Sequence, residues 1–217
     1  MSARPIRKNL NPESLRLIGI PKSFRNATLS DYKVGGSDGL KEVKNFVTEY
    51  INNIDKSFRI NSGIFFNGSN GVGKTMLSCI ILKEAYRHRY TSRRATFIEY
   101  IDKYTKVWSS KSSDEKNELE DTLYTYYKAV EFLVIDELGK EIDSKVATPI
   151  LEDLLRYRED LGLVTIICTN LSKEVLLERY GTSCMSLIKG NCTPVTIDSK
   201  DKRITTFNSK LKRLRSE

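Results

Sequence analysis

Short apolar runs alternate along this chain with longer stretches of mixed polarity. Ile64–Phe66, Ala95–Tyr100, Phe132–Ile135, Leu163–Thr169 and Pro194–Ile197 are mostly apolar or β-branched and of strand length. Between them lie Lys74–Arg89, Ile101–Val130, Ser144–Asp160 and Ser172–Lys189, each long enough for at least one helix. Upstream, Leu40, Val43, Val47, Tyr50, Ile51 and Ile54 recur mostly at three- and four-residue steps and predict a further helix over Gly39–Ile54. Strands that are apolar throughout are buried on both faces, and their alternation with helices predicts a parallel sheet covered on both sides. The expected fold is therefore α/β, a three-layer α/β/α arrangement around a five-stranded parallel sheet.

Composition narrows the setting. A chain of 217 residues corresponds to one domain with extensions at the usual ~150 residues per domain. Its 39% hydrophobic and 29% charged content excludes disorder throughout. The longest apolar stretch, Leu161–Cys168, is interrupted by Gly162 and Thr165 and is far shorter than the ~20 residues that cross a bilayer. The basic start MSARPIRKNL lacks a following apolar run, so no secretory signal is expected and the cytoplasm is the expected compartment. The four cysteines form no C-x-x-C pair and His88 is the only histidine, which argues against zinc; Cys79 and Cys168 read as small core residues. Charge is uneven. Residues 1–33 carry seven basic and two acidic side chains, residues 198–217 carry seven and three, and the body between carries 22 and 23. Basic ends on a neutral body suit either an acidic partner or ordinary solvated tails.

The chemistry concentrates in three places. Gly68–Thr75 reads GSNGVGKT, which fits G-x-x-x-x-G-K-T directly after the first expected strand and before a helix. In such a loop, successive backbone N–H groups from Gly68, Ser69, Asn70, Gly71, Val72 and Gly73 through Met76 turn toward phosphate oxygens, aided by the helix N-terminus. Lys74 reaches the terminal phosphates of ATP, and Thr75 supplies a hydroxyl for Mg²⁺. The second place is FLVIDE, Phe132–Glu137, an apolar strand that points two acids from its C-terminal end, where open α/β sheets bind ligands. Asp136 is the expected Mg²⁺ partner and Glu137 the expected base for a water attacking the γ-phosphate. The third is TIICTN, Thr165–Asn170, whose Asn170 is expected to contact that water or a phosphate oxygen; alone, such an Asn is a turn residue. The acid pair and Asn170 disfavour a small-molecule kinase, which would share the loop.

Together with IPKSFRNATLSDY at Ile20–Tyr32 and the DELGKE turn, these motifs resemble AAA+ ATPases of the bacterial and phage replicative-helicase loader family, the DnaC type, whose relatives include transposase-helper ATPases. The resemblance extends over about residues 18 to 205 and implies a P-loop (ASCE/AAA+) fold with little or no helical lid. It also implies ATP and Mg²⁺ as cofactors, ATP hydrolysis, and a DnaB-type replicative helicase and single-stranded DNA as partners, with self-assembly on either. The expected organisation is a basic arm over 1–30, an ATPase core over 31–205 and a basic tail over 206–217. Loaders of this type usually carry a longer N-terminal helicase-binding domain, so the helicase contact is expected on the short arm or elsewhere. Family members also tend to place an arginine in the helix after the sensor strand. Here that stretch reads GTSCMSLIKG, Gly181–Gly190, flanked by Arg179 and Lys189. An arginine finger supplies ~10³ to 10⁵ in rate, so slow turnover is expected. Arg203 resembles a nucleotide-sensing arginine, or is a surface charge.

The thirty residues Ile101–Val130 exceed the dozen or so that a crossover needs, and in the resembled family this region holds a helix used on single-stranded DNA. On a helix, Tyr100, Tyr104 and Trp108 share a face beside Lys103 and Lys106. Such a face serves either as a stacking platform for unpaired bases, with the lysines on phosphates, or as packing against the sheet. Three functions compete: an ATP-dependent helicase loader, an ATP-binding adaptor without significant turnover, and a transposition-helper ATPase.

Overall fold

A computed structural model describes residues 9–141 and 144–198. Five strands, β1 Gly63–Asn67, β2 Ser92–Thr96, β3 Phe132–Leu138, β4 Val164–Thr169 and β5 Cys192–Thr196, form one sheet in the order β2-β3-β4-β1-β5. All four pairings are parallel. The strand β4 therefore stands between the glycine-rich loop's strand and the acidic strand, so their C-terminal tips meet across one intervening tip. Eight α-helices accompany the sheet among the described residues. They are α1 Pro12–Leu17, α2 Asp38–Asn52, α3 Ile54–Arg59, α4 Lys74–Arg87, α5 Phe97–Ser109, α6 Ser113–Leu123, α7 Ser144–Asp160 and α8 Lys173–Asn191.

Alternate residues of each strand enter opposite cores. Phe132, Val134, Ile166 and Cys168 pack with α2 and α4, while Leu133, Ile135 and Ile167 pack with α5, α7 and α8. This gives the three layers expected from the apolar runs. The cysteines Cys79 and Cys168 are buried, as expected. No helix among the described residues is long and apolar enough to cross a membrane.

Two expectations need correction. The second strand is Ser92–Thr96, and Phe97–Tyr100, expected in the strand, opens α5. The reason is a capping box: Thr96 Oγ1 accepts from the Glu99 N–H, and the Glu99 carboxylate accepts from the Thr96 N–H. The stretch Ile101–Val130, expected to hold at least one helix, carries the rest of α5, then α6, then a π-helical turn at Tyr124–Lys128. The arm over 1–30 does not stay off the core. Leu15, Ile18 and Ile20 are buried in the α2/α4 core, and the Arg94 N–H donates to the Ile18 carbonyl at 2.8 Å. Residues 1–8, Arg203 and the tail over 206–217 lie outside the described residues.

Two buried cations hold connecting segments by donating to carbonyls. Arg158 on α7 is 1% exposed and donates to the carbonyls of Tyr127, Lys128, Val130 and Val164 and to Thr165 Oγ1. Burial pushes its guanidinium down to about 9. Lys83 on α4 donates to the carbonyls of Phe24 at 2.9 Å, Arg25 at 3.1 Å and Ala27. It thereby ties the segment after Ile20 to the helix that follows the glycine-rich loop.

Candidate functional site

The loop Gly68–Gly73 leaves β1 and enters α4 in a shape that only glycine permits at two points. A Cβ on Gly68 would stand 2.1 Å from the Ile197 carbonyl oxygen. Gly73, at φ +98°, would press a Cβ to 2.7 Å from the Tyr32 ring. The loop is thus wedged between the end of β5 and the segment that Lys83 anchors. Lys74, the first residue of α4, donates from Nζ to the carbonyls of Gly68 at 2.6 Å and Ser69 at 2.8 Å, and burial pulls its ammonium below the ordinary lysine value. Its charge thus stays at the mouth of the loop.

At the tip of β3, Asp136 is 2% exposed. Its Oδ1 accepts from Thr75 Oγ1 at 3.3 Å and from the Glu137 N–H at 3.0 Å. Its Oδ2 accepts from Arg94 Nη2 at 2.7 Å and Nε at 3.1 Å. The register between β3 and β4 shifts between Ile135 and Leu138, and there Glu137 adopts φ +59°, which turns it out of the ladder and up to the strand end. Its Oε1 pairs with Lys140 Nζ at 2.6 Å. Thr169 Oγ1 donates to the Leu138 carbonyl at 2.8 Å, and Asn67 Nδ2 donates to the Leu171 carbonyl. These bonds fix the three tips side by side and set Asn170, exposed at the end of β4, beside the acids.

One cavity of about 520 Å³ is lined by Lys74, Thr75, Asp136, Glu137 and Asn170, and by Asn70, Gly71, Gly73 and Met76 of the loop. The structure therefore brings together residues from all three motifs, although Gly68, Ser69 and Val72 of the loop do not line the cavity. Its oxygen donors fit Mg²⁺: a buried carboxylate and a hydroxyl meet at 3.3 Å beside the glycine-rich loop, a hard set without thiolate or imidazole. Cys168 also lines the cavity, but burial pushes its thiol well up and keeps it protonated. Lys103, Tyr104, Lys106 and Trp108 are not part of this cavity. They lie on α5, where Tyr104 and Trp108 line a separate groove of about 470 Å³ with Lys145, Val146, Pro149 and Ile150. The aromatic face is split: Tyr100 is buried, Tyr104 half-buried, and Trp108 74% exposed. Tyr124 and Tyr126 are exposed, and Tyr127 is buried.

Sequence reasoning missed Arg94, Lys140, Pro21 and Phe24, which line the same cavity. A signal for Arg94 existed: two successive arginines in a short strand must point to opposite faces, so one had to enter the α4 side. Arg179, which flanks the arginine-free stretch, is engaged within its own chain. Its Nε donates to Glu141 Oε1 at 3.0 Å, and the same carboxylate accepts from the Tyr180 hydroxyl. Gly181, at φ 74°, breaks α8 immediately afterwards.

No protein-family model matches the chain. Among curated proteins it is similar to the replicative helicase loader DnaC of Escherichia coli strain K12, with 24% identity over 193 residues that cover 86% of this chain and 74% of that protein. Among solved structures it superimposes on a crystal structure of the DnaC helicase loader with a TM-score of 0.69 at 22% identity, covering 82% of this chain and 99% of that one. The replication initiator DnaA bound to AMPPCP and single-stranded DNA gives a TM-score of 0.63 at 18% identity, covering 92% of this chain and 57% of that one. The chain thus shares the α/β fold of these replication proteins.

Proposed function

From the resemblance to DnaC-type loaders over most of the chain, we propose that this protein is an ATP-dependent helicase loader. It binds ATP and Mg²⁺ in the cavity at the strand tips, engages a DnaB-type replicative helicase, and helps deliver it to single-stranded DNA in the cytoplasm. The observation that carries the reading is the meeting of Lys74, Thr75, Asp136, Glu137 and Asn170 around one cavity. Lys74 neutralises the terminal phosphates, and the Gly68–Met76 backbone holds them. Thr75 and Asp136 would hold the metal, which would neutralise charge on the transferred phosphoryl group. Glu137 takes a proton from the attacking water, which Asn170 orients, and Lys140 competes with that water for the Glu137 carboxylate. Trp108 and Tyr104, their ring centroids 6.4 Å apart, with Lys103 and Lys106, offer a surface on which unpaired bases stack. Arg203 is a further nucleotide contact in this reading, and self-assembly on helicase or DNA would supply any arginine in trans.

A second reading, an adaptor that holds ATP without significant turnover, is favoured by the Glu137–Lys140 pair and by the engagement of Arg179 with Glu141. The test is to titrate a fluorescent ATP analogue into the protein and into Lys74→Ala. ATP turnover is then measured with a DnaB-type hexamer, with single-stranded DNA and with both. Loss of analogue binding in Lys74→Ala, co-migration with the hexamer and stimulated turnover are the expected results. Binding and co-migration without turnover would select the adaptor, and no nucleotide binding by the unaltered protein would overturn both.

A further inference from the structure

The Asp136 carboxylate already has a cation. Arg94 approaches Oδ2 with two nitrogens, at 2.7 and 3.1 Å, while Oδ1 accepts from Thr75 and from the Glu137 N–H. The pair is nearly out of solvent, with side-chain exposures of 12% for Arg94 and 3% for Asp136, so little screening weakens it. Burial alone would lower the guanidinium, but the charge and hydrogen bonds of Asp136 outweigh it and hold it above the ordinary arginine value. The backbone is fixed as well: the Arg94 N–H donates to the Ile18 carbonyl at 2.8 Å, and a Cβ on Gly19 would stand 2.2 Å from the Arg94 carbonyl oxygen. Arg94 also lines the same cavity as Lys74, Thr75 and Glu137.

We propose that Arg94 is a positioning residue that makes metal binding at Asp136 conditional on the triphosphate, by occupying the carboxylate that a divalent cation would otherwise neutralise. This rests on the nucleotide-binding reading above. Without nucleotide, a cation approaching Asp136 and Thr75 meets a carboxylate whose charge is already cancelled, and a fixed positive charge beside it. Phosphate oxygens in the cavity change both terms. They supply negative charge for the metal, and they give the guanidinium another acceptor within the same cavity, so the carboxylate becomes free to serve the metal. Such coupling is reciprocal: the triphosphate strengthens metal binding by the factor by which the metal strengthens triphosphate binding. A guanidinium remains charged at any physiological pH, so the device responds to nucleotide rather than to pH.

The test uses Mn²⁺ as the probe, followed by electron paramagnetic resonance on the full chain, with and without a non-hydrolysable ATP analogue. The expected result for the unaltered protein is weak Mn²⁺ binding alone and much tighter binding with the analogue. Arg94→Met, which keeps a long apolar stem but removes the charge, should raise nucleotide-free Mn²⁺ affinity by at least about tenfold, as expected for removing a cation next to the ligating carboxylate. It should also shrink the coupling between metal and analogue, whereas Arg94→Lys should restore it in part. A merely structural role would change melting but leave the ratio of the two Mn²⁺ affinities unmoved, and that result overturns the proposal. If Arg94→Met does not fold, the unaltered protein still decides: equal Mn²⁺ affinity with and without bound analogue refutes the inference. Failure of the analogue to bind at all would instead sink the nucleotide-binding reading.

Discussion

Replacing Trp108 with alanine separates a DNA-facing surface from a packed one. The ring is 74% exposed on α5, with the Tyr104 ring centroid at 6.4 Å and Lys116 Nζ at 6.0 Å. An exposed side chain outside any buried network contributes within about 0.5 kcal/mol to stability, so Trp108→Ala should melt almost like the unaltered protein. Tyr100, four positions after Thr96 on the same helix, is 2% exposed and packs on Tyr127 at 5.4 Å. Tyr100→Ala should therefore cost ~3–5 kcal/mol, the range for a large buried side chain. If bases stack on Trp108, its removal should weaken single-strand binding by ~1–3 kcal/mol, which is about 5- to 150-fold in Kd. Because Trp108 is the only tryptophan of the chain, its fluorescence reports on this position alone, and titration with a thymidine oligonucleotide should quench it. Urea melts and anisotropy titrations at two salt concentrations complete the assay, and Lys106→Ala should flatten the salt slope by about 0.7. Full DNA affinity in Trp108→Ala would refute the stacking assignment. Destabilisation beyond about 2 kcal/mol would refute the premise that an exposed ring contributes little.

Three further outcomes follow from the geometry. Glu137→Gln keeps the shape of the site but cannot accept a proton, so it should retain ATP-analogue binding while turnover falls by about 10² to 10⁴; unchanged turnover would exclude Glu137 as base. Lys83→Met removes a cation that bonds the carbonyls of Phe24, Arg25 and Ala27 and should cost about 2 kcal/mol, since water at this surface segment replaces part of what is lost. Because Pro21 and Phe24 line the cavity, analogue affinity should fall as well, which calorimetry would detect; a stable variant with unaltered affinity would uncouple the segment from the site. Deleting residues 1–17 removes buried Leu15 and should lower stability by ~2–5 kcal/mol, the scale of losing a buried leucine, whereas deleting residues 1–8 leaves that contact intact. Equal urea midpoints for the two truncations would show that α1 contributes nothing to the core.

The contrast between what sequence revealed and what it hid has a physical basis. The glycine-rich loop and the acidic strand are contiguous in the chain, and each carries its chemistry in its own spacing, so Lys74, Thr75, Asp136 and Glu137 were readable without knowing the strand order. The fold class was readable for the same reason: Phe132–Ile135 and Thr165–Cys168 are apolar at every position or nearly so, which only a strand covered on both faces demands. The segment around β2 defeated that logic. Its apolar residues, Phe97, Ile98 and Tyr100, belong to a helix, whereas its strand carries Arg93 and Arg94. The Thr96-x-x-Glu99 capping box could have moved the boundary back, and with it one arginine onto the α4 side. Net charge misled in a similar way at the N-terminus, because a sum over residues 1–33 conceals that Leu15, Ile18 and Ile20 are placed to bury.

Lys83 and Arg94 share a deeper reason for remaining hidden. A lysine or arginine is read by default as a surface residue, because an unpaired buried cation is too costly; Lys83 is buried and Arg94 largely withdrawn from solvent because partners far away in sequence meet the cost. For Lys83 the partners are carbonyls 56 to 59 residues earlier, and for Arg94 a carboxylate 42 residues later. Neither pairing leaves a local pattern. Yet both act on the residues that sequence did reveal: Lys83 holds the segment whose Tyr32 packs on Gly73, and Arg94 occupies the acid at the tip of β3. Mutating the motif residues alone would accordingly test whether the site exists, whereas the two hidden cations test how its shape and its charge are set.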